Sequence, residues 1–213
     1  MTDPAHLPPT PAVATVARHL ADWENLENYR LQEQSLSLLF HQFCPSNSDL
    51  AHVLLKVSAL NDFYSTNIFD TYSVAKHILG LSIDRRLSSH DLSLVNDIAA
   101  ITIKGKPKNF YSFATKYCSH HHADVFPIFD SYVEKMLCHF ARRDSFPQFA
   151  KPDLRDYVRF VDVIQTFRNH YRLGLYSLRQ IDIYLWLEGK QYFRREFHAA
   201  KARKTARGVK GAK

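Results

Sequence analysis

From residue 13 to about residue 198, apolar side chains recur at intervals of three and four, the period of an amphipathic helix. Few features constrain a chain more, because that period buries one stripe of each segment and leaves the rest to water. Glycine usage points the same way. Only six glycines are scattered through 213 residues, so few positions supply the turns that a many-stranded fold requires. Apolar residues are 46% of the chain and aromatics 13%, enough for a sizeable core. The expectation is an all-α fold, a compact bundle of about eight helices.

The pattern also places the breaks. A long amphipathic stretch over 13–43 ends near Cys44-Pro45, and Ser46-Asn47-Ser48-Asp49 is a cluster of N-cap residues that opens a helix through AHVLLKVSAL. Asn61 and Asp62 interrupt the apolar period, and a helix over 64–80 stops at Gly80. SSHD (88–91) caps DLSLVNDIAAI; the polar turn KGKPK (104–108) precedes the helix NFYSFATKYCS. After HHHADVFP a helix runs from Asp130 to about Arg143, Pro147 and Pro152 break the chain, and two helices follow over 153–172 and 177–198. The domain organisation is a disordered, proline-rich leader (1–12), one helical domain (13–198) and a basic tail (199–213).

Charge narrows the partners. Residues 194–213 hold eight Lys/Arg against Glu196 alone, whereas the rest of the chain holds 20 basic and 20 acidic residues. The net charge of +7 therefore belongs to the C-terminal end, where it suits phosphate contact or a solvated tail. No apolar run approaches the roughly 20 residues of a membrane span, and the N-terminus lacks the basic-then-apolar order of a signal peptide. A cytoplasmic protein without membrane association is expected. Cys44, Cys118 and Cys138 form no C-x-x-C pair, so neither a disulfide framework nor an iron–sulfur cluster is expected, and no other cofactor is implied.

Several segments carry candidate chemistry. Asp130 precedes an amphipathic run, as an N-cap does; a carboxylate there stays ionised beside the positive helix end and can stabilise developing positive charge or orient a water. Lys104, Gly105, Lys106, Lys108 and Asn109 form a turn that could hold a phosphate, or an ordinary charged loop. Cys118 to Asp124 holds His120, His121 and His122; consecutive histidines are not spaced as paired ligands, so no metal site is expected, and contact with phosphate or solvent is the better use. In ALNDFYSTNIF, the residues Asn61, Asp62, Phe63, Tyr64 and Ser65 mix aromatic and polar groups in the way a base pocket does, or a capped turn. There is no G-x-S-x-G, P-loop or G-x-G-x-x-G.

Ser112-Phe113-Ala114 and Asp130 stand 18 residues apart, counted from Ser112, and Asp130 lies in Phe126-Pro127-Ile128-Phe129-Asp130-Ser131-Tyr132-Val133. In that spacing and context, residues 55–140 resemble the helix-hairpin-helix DNA glycosylase superfamily, the adenine-mismatch glycosylases above all. The resemblance implies a monofunctional DNA glycosylase that flips a damaged or modified base out of double-stranded DNA and leaves an abasic site. Modified bases of viral DNA, and so defence against phage, are one candidate. It implies Asp130 as the catalytic carboxylate and Lys104 to Phe110 as the phosphate-binding hairpin, with Lys116, His120 and His121 added to the phosphate contacts. Ser112 occupies the place of the lysine nucleophile of bifunctional members. The region of Asn61 corresponds to the loop that fills the gap left by the flipped base, and Phe63, Tyr64, Phe110, Tyr111 and Tyr132 are stacking candidates. Trp186 is expected in the core. The hairpin lacks the family's paired glycines, and the four-cysteine cluster of many members is absent. The protein is expected to act as a monomer. Two other uses of the scaffold stay open: a non-catalytic nucleic-acid-binding module, and an interaction protein without a nucleic-acid role.

Overall fold

The apolar period runs unbroken through 13–43, yet one residue divides the stretch in two. Leu26, at φ −89° and ψ 73°, leaves the helical region. In the computed structural model, which describes residues 7–144 and 149–193, α1 (Val13–Glu24) and α2 (Glu27–Leu38) lie on either side of that break. A π-helical turn, Leu39–Phe43, ends the second, with the Cys44 N–H bonded to the Leu39 carbonyl at 2.8 Å. Asp49 caps α3 (Leu50–Tyr64) by accepting from the His52 N–H at 3.0 Å. The period break expected at Asn61-Asp62 does not end this helix. Asn61 stays helical, and α3 ends at Ser65, a left-handed C-cap with φ 49°.

The remaining helices are α4 (Thr71–Gly80), α5 (Asp84–Ser88), α6 (Leu94–Ala99), α7 (Tyr111–His121), α8 (Ser131–Asp144), α9 (Tyr157–His170) and α10, described over 178–193. A 3-10 turn, Lys151–Arg155, precedes α9, whose N-cap is Asp156. The described chain is 68% helical, and one large core unites it: Phe40, Val57, Ile78, Ile98, Phe113, Tyr117, Phe126, Phe140, Phe160, Tyr184 and their neighbours are buried. No described helix is long and apolar enough to cross a membrane.

One departure from an all-helical chain matters for the site. KGKPK is the tip and second arm of a β-hairpin, β1 (Ala100–Ile103) paired antiparallel with β2 (Lys106–Asn109). Lys104 (φ 49°) and Gly105 (φ 73°) are both left-handed, the backbone that a two-residue hairpin turn needs. The β-branched run Ile101-Thr102-Ile103 favours the strand, and Pro107 is tolerated because a two-stranded ribbon has only edges. The hairpin joins α6 to α7.

Residues 7–12 of the expected leader are held in place: the Arg143 guanidinium donates to the Pro8 carbonyl, and Pro8 and Pro11 are buried. Residues 1–6 and the basic tail (199–213) lie outside the described residues.

Gly189 marks the crossing of α10 over α8. A Cβ there would stand 2.9 Å from both Tyr132 Cβ and Met136 Cγ. Helix propensity alone favours Gly189→Ala by about 1 kcal/mol, but overpacking typically costs about 1–3 kcal/mol. Gly189→Ala should therefore lower the midpoint of thermal unfolding, and a rise would show that the crossing relaxes freely.

Candidate active site

The segment before α8 has no regular secondary structure, and four of its backbone groups bond to side chains. The Ile128 N–H donates to Asp182 on α10 at 3.0 Å, the Phe129 N–H donates to Thr115 Oγ1 on α7 at 3.1 Å, and the Phe129 carbonyl accepts from Ser112 Oγ at 3.1 Å. Tyr157 on α9 donates its hydroxyl to the Pro127 carbonyl at 2.8 Å. Three helices thus fix the approach to Asp130. Its carboxylate caps α8, accepting from the Tyr132 N–H at 2.7 Å. The bond from Ser112 explains why a small hydroxyl residue stands 18 positions before Asp130: it ties the first turn of α7 to the residue preceding the carboxylate.

Asp130, Lys116, Tyr64 and Ser65 form the shared wall of two lobes of one cleft. The inner lobe, about 260 Å³, is walled by Trp23, Tyr29, Phe63 and Trp186, with Gln32, Glu33, Arg179 and Asp182 as its polar groups. Trp23, Tyr29 and Trp186 meet edge-on or tilted, with centroids 5.2–6.0 Å apart. Lys190 lies over Tyr29 and Trp186 and donates to the Tyr29 hydroxyl at 2.7 Å. Arg179 joins Glu33 at 2.7 Å and Asp182 at 2.8 Å. Burial raises the Asp182 carboxyl to about 6, against the pull of Arg179.

The outer lobe, about 520 Å³, runs from Thr66 past Asn109, Phe110, Tyr111 and Ser112 to Ser131 and Arg155. It contains the N-terminus of α7, which has no side-chain cap. Tyr111 is buried there against Phe129, and its hydroxyl has no hydrogen-bond partner among the described residues.

Lys116 is the unusual member. It is 4% exposed, and its Nζ donates to Ser112 Oγ at 2.6 Å and to the Ser112 carbonyl at 3.2 Å. No carboxylate stands within ion-pair distance of it among the described residues. Burial lowers its amine to about 8, opposed by the more distant Asp130 and Asp182.

Other expected contacts fall elsewhere. Lys116 cannot serve as a surface phosphate contact, because it is buried at the shared wall. His120 pairs with the Tyr64 hydroxyl at 2.9 Å, and burial pushes its imidazole down to about 3. His121 accepts from the Asn47 amide within a network that includes Lys56, Asp84 and Tyr117, and its imidazole is lowered by burial and Lys56. Both stay neutral near pH 7, so neither brings a positive charge to the phosphate contact expected of it. Lys104, Gly105, Lys106, Lys108 and Asn109 are exposed along the hairpin.

Asn61 is a clamp and lines neither lobe: its amide receives the Ile68 N–H at 2.8 Å and the Thr66 hydroxyl at 2.9 Å, and donates to the Ile68 carbonyl at 3.0 Å. Asp62 is exposed and Tyr132 packs beneath Gly189; they too line neither lobe. Phe63, Tyr64, Ser65, Tyr111 and Ser112 do line the cleft. Trp186, expected in the core, is part of its wall. Trp23, Tyr29, Glu33, Arg179 and Asp182 carried no local signal, because each is an ordinary member of an amphipathic helix until α1, α2 and α10 meet. Among the described residues no three His, Cys, Asp or Glu side chains are grouped to hold a metal.

A family model described as HI_0787_N, N-terminal domain, matches residues 15–125, over half of the chain. The chain belongs to this family. The matched region ends before Asp130, so it covers Tyr29, Glu33, Tyr64, Ser112 and Lys116 but not Asp130, which lines the cleft with them. A protein of Haemophilus influenzae (strain ATCC 51907 / DSM 11121 / KW20 / Rd), described as uncharacterized, is 48% identical over 142 residues, 66% of this chain and 68% of that relative. No solved structure matches the chain.

Proposed function

We propose that the protein is a monofunctional DNA glycosylase of the helix-hairpin-helix kind, which excises a damaged or modified base and leaves an abasic site. The observation that supports this most is the meeting of two lobes at Asp130: an aromatic-walled inner lobe suited to a flipped base, and an open outer lobe suited to sugar and phosphate. A base between the Trp23, Tyr29, Phe63 and Trp186 walls stacks as it leaves the duplex, and Gln32, Glu33 and Arg179 meet its edge. The glycosidic bond then lies beside Asp130. Its carboxylate stabilises the positive charge that develops on the sugar as that bond breaks, or orients the water that attacks.

Phosphate contact would come from the exposed lysines of the hairpin and from the open N-terminus of α7. These take the place of the paired glycines of helix-hairpin-helix glycosylases. Phe69, 97% exposed in the loop that Asn61 clamps, is offered to the gap that the flipped base leaves.

The test is base release. Duplexes carrying a panel of lesions and modified bases are incubated with the protein and then treated with alkali, which breaks strands at abasic sites. Breaks at one class of base are expected. Binding without breaks across the panel would favour the non-catalytic nucleic-acid module, for which the missing glycines speak. Replacing Lys104, Lys106 and Lys108 by Gln should flatten the slope of log K against log salt by about 1 for every phosphate that a lysine no longer neutralises. An unchanged slope would remove the hairpin from the interface.

A further inference from the structure

We propose that Ser112 and Lys116 form a nucleophile–base pair that hydrolyses carboxylic esters, an activity separate from base release. The pair stands without the glycosylase reading. The two residues are four apart on α7 and so share one face of it. Lys116 Nζ lies 2.6 Å from Ser112 Oγ, and its second bond, to the Ser112 carbonyl at 3.2 Å, fixes the amine against the hydroxyl. Exposure divides the roles. Ser112 is partly exposed and lines the outer lobe, whereas Lys116 is 4% exposed. A serine hydroxyl is a weak nucleophile until an adjacent base takes its proton, and a desolvated amine without an ion-pair partner is such a base. Burial brings this amine to about 8. Ser112 also stands in the first turn of α7, which has no side-chain cap, so its open N–H groups are available to an oxyanion. Tyr111, 5% exposed and without a partner for its hydroxyl among the described residues, lines the same lobe as a further donor.

The chemistry needs only water as co-reactant. At rest the Ser112 hydroxyl donates to the Phe129 carbonyl at 3.1 Å. Beside a neutral amine it turns to the Nζ lone pair. Oγ then forms a bond to the ester carbonyl carbon as the π pair moves to oxygen and the proton passes to Nζ. The pair returns, the bond to the leaving alcohol breaks, and the ammonium protonates that oxygen. Water attacks the acyl-serine in the same way, Lys116 takes its proton and returns it to Oγ, and a carboxylic acid leaves. The outer lobe has room for a small acyl group, and the aromatic walls of the inner lobe suit an aryl alcohol portion.

The test uses the full chain with a fluorophosphonate, which phosphonylates an activated serine as fluoride leaves, followed by peptide mapping. Hydrolysis of p-nitrophenyl acetate gives the turnover. Ser112 should carry roughly ten-fold or more label than any other serine. Both rates should rise about ten-fold per pH unit and level off above about pH 8, as the amine loses its proton. Asp130, Asp182, Arg179, Tyr64 and His120 supply the field in which it titrates. Lys116→Met should slow labelling of Ser112 by about 10²–10⁴-fold, the worth of a general base, and remove the pH dependence. Label absent from Ser112, spread evenly over the serines, or formed at a rate that ignores pH overturns the proposal; mapping the unaltered chain needs no variant to fold. Ester turnover that persists in Ser112→Ala overturns it as well, because the activity then belongs to another group. Labelling of Ser112 without base release from any DNA supports the pair and counts against the glycosylase reading alone.

Discussion

Asp130→Asn is expected to lower base release by about 10²–10⁴-fold while leaving the protein folded. The two effects separate because Asn is as good an N-cap as Asp. The amide oxygen can still accept from the Tyr132 N–H, the bond that Asp130 makes at the start of α8. What the amide cannot do is carry the negative charge that an oxocarbenium-like sugar requires nearby. The approach to residue 130 is also untouched, since Ile128 and Phe129 are held by Asp182, Thr115 and Ser112. Circular dichroism and thermal unfolding should therefore match the parent to within about 2 °C, a ΔΔG of a few tenths of a kcal/mol. A variant as active as the parent would show that Asp130 is only a cap. A variant that unfolds would show that the charge, and not the cap geometry, supports α8.

Lys116→Met should make the protein more stable near pH 7. The sign follows from proton binding. The folded amine titrates at about 8 and the unfolded one near 10.5, so between those values the unfolded chain binds more protons and stability rises with pH. Below about pH 8 the full cost of burying the ammonium, about 3 kcal/mol, is present. Methionine removes that cost with a side chain of similar length, and Ser112 Oγ keeps its bond to the Phe129 carbonyl. Losing the two bonds to Ser112 offsets about 1 kcal/mol each, so a net gain of about 1–2 kcal/mol is expected at pH 7. The gain should vanish above about pH 10, as urea unfolding at the two pH values would register. A loss of stability at pH 7 would mean that the bonds to Ser112 outweigh desolvation. A destabilising amine kept at a cleft wall is what a functional group looks like when stability is spent on chemistry.

Much of the helical framework was legible from spacing. The helix at NFYSFATKYCS and the one headed by Asp130 fall at Tyr111–His121 and Ser131–Asp144. Local capping chemistry explains why: Asp130 and Asp49 each bond a first-turn N–H within three residues, a contact that sequence order alone brings together. The errors have an equally local cause. Asn61 reads as a helix breaker, yet its side chain satisfies the loop beyond the helix and stabilises the end of α3. KGKPK reads as a plain turn because one glycine is a faint sign of a hairpin, although the β-branched Ile101-Thr102-Ile103 run beside it pointed to a strand.

The sequence by itself determined the helical class, the position of Asp130 as a cap, and its fixed distance along the chain from Ser112. Those depend on period, capping and spacing, which act over a few residues. Only the tertiary structure decided what surrounds Asp130. Trp23 and Tyr29 come from one end of the chain and Arg179, Asp182 and Trp186 from the other, and their helices close the inner lobe only when the core has packed. The same packing takes Lys116 out of the set of surface cations and places its amine at the cleft wall, because burial is a property of the assembled helices and not of any window of residues.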